Sequence, residues 1–370
     1  MSLFFTPLRP TFEAALRDVT SGDAKMRALA AERLGDLRGS EGVEGALDRA
    51  VEGLTKLGDD PDATVRTMAI AALGRLRDPR PLEVVLARFS DGEGSVREAA
   101  VMAAGEIGGE RAREALRRAV SDERPDVRFQ AVAAYAVVAG EDARPALAVA
   151  LGDEDPLVRA SAVESLATLG PSDDARTRIA RLLSDRAPEV VDEAALALGQ
   201  MGDRRAIPHL ARLASGPRGF EAMALLGDLK ATEAADALDR IAGAVLKPLL
   251  VKAAAATALV RIGDPRGEPH FRSIFEAWRD DARTYCVDVI GELRLAAYGE
   301  AVARMVERPR GAEPASVVRA LSRLREVSSP ARIAFDALLT RTDVLGALAR
   351  ELEAHSLELD ARARSSPVSS

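Results

Sequence analysis

Four copies of one short pattern recur at a fixed step of 31 residues, and that recurrence constrains the fold more than any other feature of the chain. They read "DDPDATVRTMAIAALGRL" from Asp59, "DGEGSVREAAVMAAGEIG" from Asp91, "DERPDVRFQAVAAYAVVAG" from Asp122 and "DEDPLVRASAVESLATLG" from Asp153. An arginine stands at 66, 97, 128 and 159, and an acid stands six residues before each, at 60, 91, 122 and 153. Degenerate copies continue the series on both sides. Arg27 holds the arginine slot upstream; Val191, Gly219, Lys252, Arg283 and Val317 hold it downstream. This makes about ten units, 28 to 39 residues apart. A period in this range marks a repeat architecture.

Each unit reads as two helices. In the copy from Asp153, residues Val158, Ala162, Leu166 and Leu169 form one apolar stripe at helical spacing. Asp155 suits an N-cap, and Pro156 suits the first helical position, where its missing N–H costs nothing. A partner helix precedes each of these, for example "PLEVVLARF", "ERAREALRRAV" and "DARTRIARLL". Glycine recurs eight residues after the slot, at 74, 105, 199, 227 and 291. Two such helices cannot bury their apolar stripes alone, so neighbouring units must stack. The predicted fold is an all-α solenoid, a superhelix of about ten helix pairs without an internal boundary. Residues 1–20 are expected to form an N-terminal capping segment, in which Phe4, Phe5 and Phe12 pack over the first unit. The repeat array is expected over 21–330, C-terminal capping helices over 331–358 and a disordered tail over 359–370.

Composition agrees with close helix packing: 47% of residues are hydrophobic, yet only 4% are aromatic. The net charge of −7 argues against general binding to nucleic acid or an anionic membrane, and points to a basic partner. Cys286 is alone, so no intramolecular disulfide can form. The opening "MSLFFTPLRPTFEAAL" lacks the basic leader and long apolar core of a secretion signal. No stretch reaches eighteen uninterrupted apolar residues, so no membrane span is expected. A cytoplasmic location follows as the expectation, and the excess of Arg over Lys with abundant Ala points to a bacterial source.

The pattern of acid, Val-Arg, spaced alanines and Leu-Gly resembles HEAT repeats, specifically the short bacterial type called PBS-lyase HEAT-like, over roughly residues 20 to 330. The resemblance implies that the second helix of each pair lines a concave face that grips other proteins. It also brings alternatives: bilin lyases or tetrapyrrole-handling chaperones, iron-dependent deoxyhypusine hydroxylase, and some DNA alkyl-base glycosylases.

Weighed against these, the residues favour a non-enzymatic role. The hydroxylase branch relies on His-Glu pairs as iron ligands; His209, His270 and His355 lie far apart and none is followed by Glu. No CxxC or HExxH motif is present, so no metal is expected. Cys286 falls where other units carry Ala131, Ala162 or Ala255, the small packing position, and reads as a core thiol. A glycosylase needs a basic groove around an extruded base, which this acidic chain does not offer. No residue set identifies a chromophore site, and no cofactor is expected.

The recurring Asp60, Arg66, Asp91, Arg97, Asp122, Arg128, Asp153 and Arg159 read as a structural ladder, with each arginine bonding loop carboxylates or carbonyls of its own and neighbouring units. What remains is the second-helix row, at positions one, two and five after the slot. It offers Glu98, Met102, Phe129, Gln130, Glu164, Asp192, Glu193, Leu196, Phe220, Glu221, Tyr285 and Asp288, with Ser161, Ala253 and Thr257 filling in. Acids around a few large apolar groups suit another protein with a basic and apolar surface. The expected function is a non-catalytic protein-binding scaffold or adaptor.

Overall fold

The computed structural model describes residues 11–37, 40, 43–277, 280–307 and 311–365. Among them every regular element is a helix, and they form an all-α solenoid of antiparallel helix pairs. The chain divides into two compact units, Met1–Met201 and Gly202–Ser370. The sequence pattern led us to expect no such boundary. It falls where the repeat has lapsed, with Val191 and Gly219 in consecutive arginine slots.

In the first unit the pairs are Phe12–Asp18 with Ala24–Gly35, Ala46–Leu57 with Ala63–Leu76, Leu82–Ala87 with Gly94–Ile107, Gly109–Ala119 with Pro125–Ala139, Arg144–Ala150 with Pro156–Thr168, and Asp173–Arg181 with Pro188–Gln200. The second helices are stopped and started by local chemistry. Asp155 caps Pro156–Thr168 by accepting from the N–H groups of Leu157 and Val158, and Asp62 does the same for Thr64 and Val65. Pro125, Pro156 and Pro188 open three of these helices at their first position. Val158, Ala162 and Leu166 are buried, each large side chain contributing about 1.5–3 kcal/mol on leaving water. Leu169, the C-cap, is only half-buried.

Successive second helices approach closely because the recurrent glycine faces an alanine. A Cβ on Gly35 would lie 2.6 Å from Ala72 Cβ, and one on Gly74 would lie 2.8 Å from Ala103 Cα. On Gly105 it would lie 3.2 Å from Ala134 Cβ. In these three contacts the alanine is the sixth residue after the next arginine slot, so one pattern supplies both halves of the contact.

The second unit repeats the scheme with Ile207–Leu213 and Gly219–Asp228, Ala235–Ala242 and Leu249–Ile262, Gly267–Glu276 and Asp280–Glu292, and Gly299–Met305 and Pro314–Leu324. Gly291 again approaches Ala320, at 2.8 Å from its Cα for an added Cβ. Helices Ser329–Leu339 and Val344–Ser365 pack on Pro314–Leu324 and end the stack.

At the ends, Phe12 is buried, with Thr11 capping its helix, while Phe4 and Phe5 lie outside the described residues. The last helix continues through Ser365, past the expected boundary at 358; residues Leu359 to Ser365 hold helical backbone although they lack an apolar stripe. No helix among the described residues is long and apolar enough to cross a membrane.

Candidate functional site

The charged residues of the repeat form a continuous set of bonds along one edge of the first unit. Arg66 donates from Nε and Nη2 to both carboxylate oxygens of Asp91, the acid of the following repeat, at 2.9 and 2.8 Å. Its Nη1 donates to the carbonyls of Asp60 and Pro61 in its own loop, at 2.9 and 3.2 Å. Arg27 grips Asp60 in the same way, Arg128 grips Asp153, and Arg159 grips Asp185. Each acid also accepts the N–H of the residue two places on, as Asp153 does from Asp155 at 2.9 Å, and so shapes the turn before the helix. A planar guanidinium is suited to this threefold task, since its fork matches a carboxylate while a third nitrogen reaches the carbonyls.

One rung departs from the pattern. Arg97 donates to Asp126, at 3.0 Å from Nε, rather than to Asp122. Asp122 is held by Arg124 at 2.8 and 2.9 Å, and Arg128 takes only its carbonyl oxygen. The carboxylates respond to these cations. Hydrogen bonding from Arg27 holds Asp60 below the usual carboxylate range, and Arg124 does the same for Asp122. At Asp91 and Asp185 burial pushes upward, but the bonds from Arg66 and Arg159, with backbone N–H groups, outweigh it. In the second unit Arg283 donates to the carbonyls of Phe275 at 2.9 Å and Glu276 at 3.1 Å.

The opposite edge carries a second set of cations. Arg144 reaches the last carbonyls of the following second helix, Leu169 at 2.8 Å and Gly170 at 3.1 Å, and Arg176 reaches Met201 at 3.3 Å. In the second unit Arg204 reaches Leu229 at 2.6 Å. Cations there satisfy open carbonyls and oppose the helix dipole. Nothing in the slot spacing indicates this set; its signal is an arginine within or just before the first turn of three first helices, at 144, 176 and 204.

The predicted row divides into distinct groups. Glu98, Met102, Phe129 and Glu164 are exposed on second helices of the first unit, Met102 at 53% and Phe129 at 37%, with Gln130 half-buried beside them. Asp192 and Glu193 are half-buried on Pro188–Gln200. Leu196 was expected on the exposed row, but it is fully buried. Its helix buries Val190, Val191 and every residue from Ala194 to Gly199, so Leu196 is covered although it shares a face with half-buried Asp192 and Glu193 and exposed Glu189 and Gln200. Ser161 is also buried, as are Ala253 and Thr257 in the second unit. There Phe220 is exposed, while Glu221 bonds Arg218 at 3.1 Å and Asp288 bonds Ser316 at 3.1 Å and Arg319 at 3.3 Å. Tyr285 is half-buried, and burial raises its phenol.

Other candidate chemistries are placed as follows. Burial pushes the Cys286 thiol up to about 12. His209 and His270 lie on first helices, half-buried, and His270 Nε2 stands 2.9 Å from Asp239. Among the described residues no group of His, Cys, Asp or Glu is arranged to hold a metal ion.

The acids of the two faces differ. On first helices of the first unit, Asp18 apart, they are ion-paired, as Glu52 is with Lys56 at 2.8 Å, Glu83 with Arg111 at 2.6 Å, Glu114 with Arg117 at 2.8 Å and Asp174 with Arg178 at 2.8 Å. Among second-helix acids, Asp126 pairs with Arg97, and Asp192 and Glu193 also have partners. On second helices, Glu32, Glu98, Glu106 and Glu164 are exposed and have no cation at ion-pair distance among the described residues.

A family model described as HEAT repeats matches the sequence three times, over residues 10–99, 82–167 and 144–224. No curated protein matches it. Solved structures do. The X-ray structure of YibA from E. coli is 18% identical with a TM-score of 0.52, over 68% of this chain and 92% of that one. Kap121p bound to Ste12p is 12% identical with a TM-score of 0.51, over 91% of this chain and 48% of that one, so this chain spans about half of Kap121p. The complex of CpcE and CpcF of phycocyanin lyase from Nostoc sp. is 20% identical with a TM-score of 0.33, over 74% of this chain and 99% of that chain.

Proposed function

The chain belongs to the HEAT repeat family, and from that premise we propose that it is a non-catalytic protein-binding scaffold whose contact surface is the second-helix row of the first unit. The observation that carries this reading is the uneven pairing of acids. Where first-helix acids are matched by intramolecular cations, the row leaves Glu98, Glu106 and Glu164 unmatched around exposed Met102 and Phe129. A partner bearing Arg or Lys around apolar groups would supply the missing cations and cover the apolar surface together. The buried arginines do not compete with this use, since Arg128 and Arg159 are committed to their loops.

The test is affinity capture with the full chain and mass spectrometry, comparing it with the Glu98→Lys/Glu164→Lys variant. Both side chains are exposed and unpaired, so the double reversal leaves the fold intact. Partners recovered with the parent chain should be lost from the variant and weakened by salt. A partner retained in full by the variant would place the contact surface elsewhere.

A further inference from the structure

On the row just described, helices Gly94–Ile107 and Pro125–Ala139 leave an open groove of about 450 Å³ between them. Its composition is a consequence of the glycine–alanine contact. Gly105, Ala133 and Ala134 are small and form a low floor where the two helices nearly touch. Met102, Gln130 and Val137 stand along it as walls, with Val137 83% exposed and Met102 53%. Large apolar side chains beside a floor without side chains make a depression that solvent fills poorly.

Resting on the proposed function above, we propose that this groove takes one large apolar side chain of a partner segment that carries arginine or lysine on both sides of it. The apolar walls set the anchor, because a leucine- or phenylalanine-sized group would cover Met102 and Val137 while filling the space over Ala133 and Ala134. Charge sets the flanks. Glu98 lies one turn before Met102 on the same helix, and Glu164 lies on the next second helix, Pro156–Thr168; both are exposed and unpaired. Arg77 and Glu106 line the same groove, so the cations of the segment lie toward Glu98 and Glu164, away from Arg77. An acidic segment would meet these carboxylates as like charges, and a purely polar one would leave the apolar walls wet.

The probe is a short synthetic peptide with one central leucine and arginines on both flanks. Two controls replace the leucine by serine or the arginines by glutamate. Binding to the full chain is followed by fluorescence anisotropy. The parent chain should bind the basic leucine peptide at least about tenfold more tightly than either control. Ala133→Phe fills the groove from an exposed position and should weaken binding at least about tenfold with no change in the circular dichroism melt. Glu98→Gln should reduce both the affinity and its salt dependence. Equal binding of the three peptides, unchanged binding by Ala133→Phe, or no binding of the basic leucine peptide overturns the inference. The scaffold reading is separable: partners lost on Glu98→Lys/Glu164→Lys but kept by Ala133→Phe would retain the surface and reject the groove.

Discussion

Arg97 bonds Asp126 while Arg124 occupies Asp122, an exchange of the usual acid of the rung for one four residues later. The cause is local. Arg124 is two residues beyond Asp122, close enough to accept the same turn geometry that Arg80 uses on Asp78 and Arg266 on Asp264. With Asp122 taken, Arg97 turns to the next carboxylate on the following helix. Removing Arg124 should reverse the exchange. In Arg124→Ala, double-mutant cycles on thermal stability should show the coupling of Arg97 moving from Asp126 to Asp122. Coupling that stays with Asp126 would mean the helix, rather than Arg124, dictates the rung.

The rungs should differ in what they contribute. Arg159 is 5% exposed and faces a carboxylate that is nearly as buried, so Arg159→Ala strips Asp185 of its two guanidinium hydrogen bonds and leaves Arg186 as the remaining nearby cation. The expected cost is about 3–5 kcal/mol. Arg97 meets Asp126 at a less buried site, with side chains 15% and 26% exposed, and Arg97→Ala should cost only about 1–2 kcal/mol. Chemical denaturation of the two variants side by side measures the difference.

Acid should loosen the ladder in a defined direction. Asp60, Asp91, Asp122 and Asp185 are held below the ordinary carboxylate range in the folded chain, so they bind fewer protons folded than unfolded. Their stabilising contribution is therefore full above the unfolded value near 4 and is lost as the pH falls through the lower folded values. Melting temperature should fall from about pH 5 downward. Asp60→Asn should start lower at neutral pH and show a shallower decline; a decline of unchanged steepness would exclude Asp60 as a contributor.

Glycine 74 offers a sign test on packing against propensity. Alanine is the better helix former by about 1 kcal/mol, which alone would stabilise the chain. Yet a Cβ there meets Ala103 Cα at 2.8 Å, backbone that cannot move aside without parting two helices. Gly74→Ala should lower stability by about 1–3 kcal/mol, while Gly22→Ala, with nothing within 4 Å, should be nearly neutral. Calorimetry on both variants checks it.

How much was legible follows from what repeats. The period at Arg66, Arg97, Arg128 and Arg159 carried the helix pairs and the cap at Asp155, because each is the same local choice made several times; it marked the glycine at 74 without showing its close approach to the next helix. The pairing of one arginine with one acid was not legible, since Arg97 takes Asp126 while the expected Asp122 is held by Arg124. Leu196 failed for a related reason. Helical spacing assigns a direction to a side chain, and it puts Leu196 beside Asp192, Glu193 and Gln200, but it does not say that this part of the face is covered. The groove beside Met102 lay partly within the predicted row; Val137 was missed because the row was read at positions one, two and five, and Val137 stands at nine.

The ladder also gives the chain a polarity. Each arginine precedes in sequence the carboxylate it grips: Arg27 before Asp60, Arg66 before Asp91, Arg128 before Asp153 and Arg159 before Asp185. A repeat leaving the ribosome can close its own loop carbonyls at once, but its guanidinium waits for an acid not yet made. Through the first unit the growing end thus presents an unmatched ladder arginine, and the completed rungs present none. Shortening the array from one side leaves an unmatched carboxylate, and from the other an unmatched guanidinium.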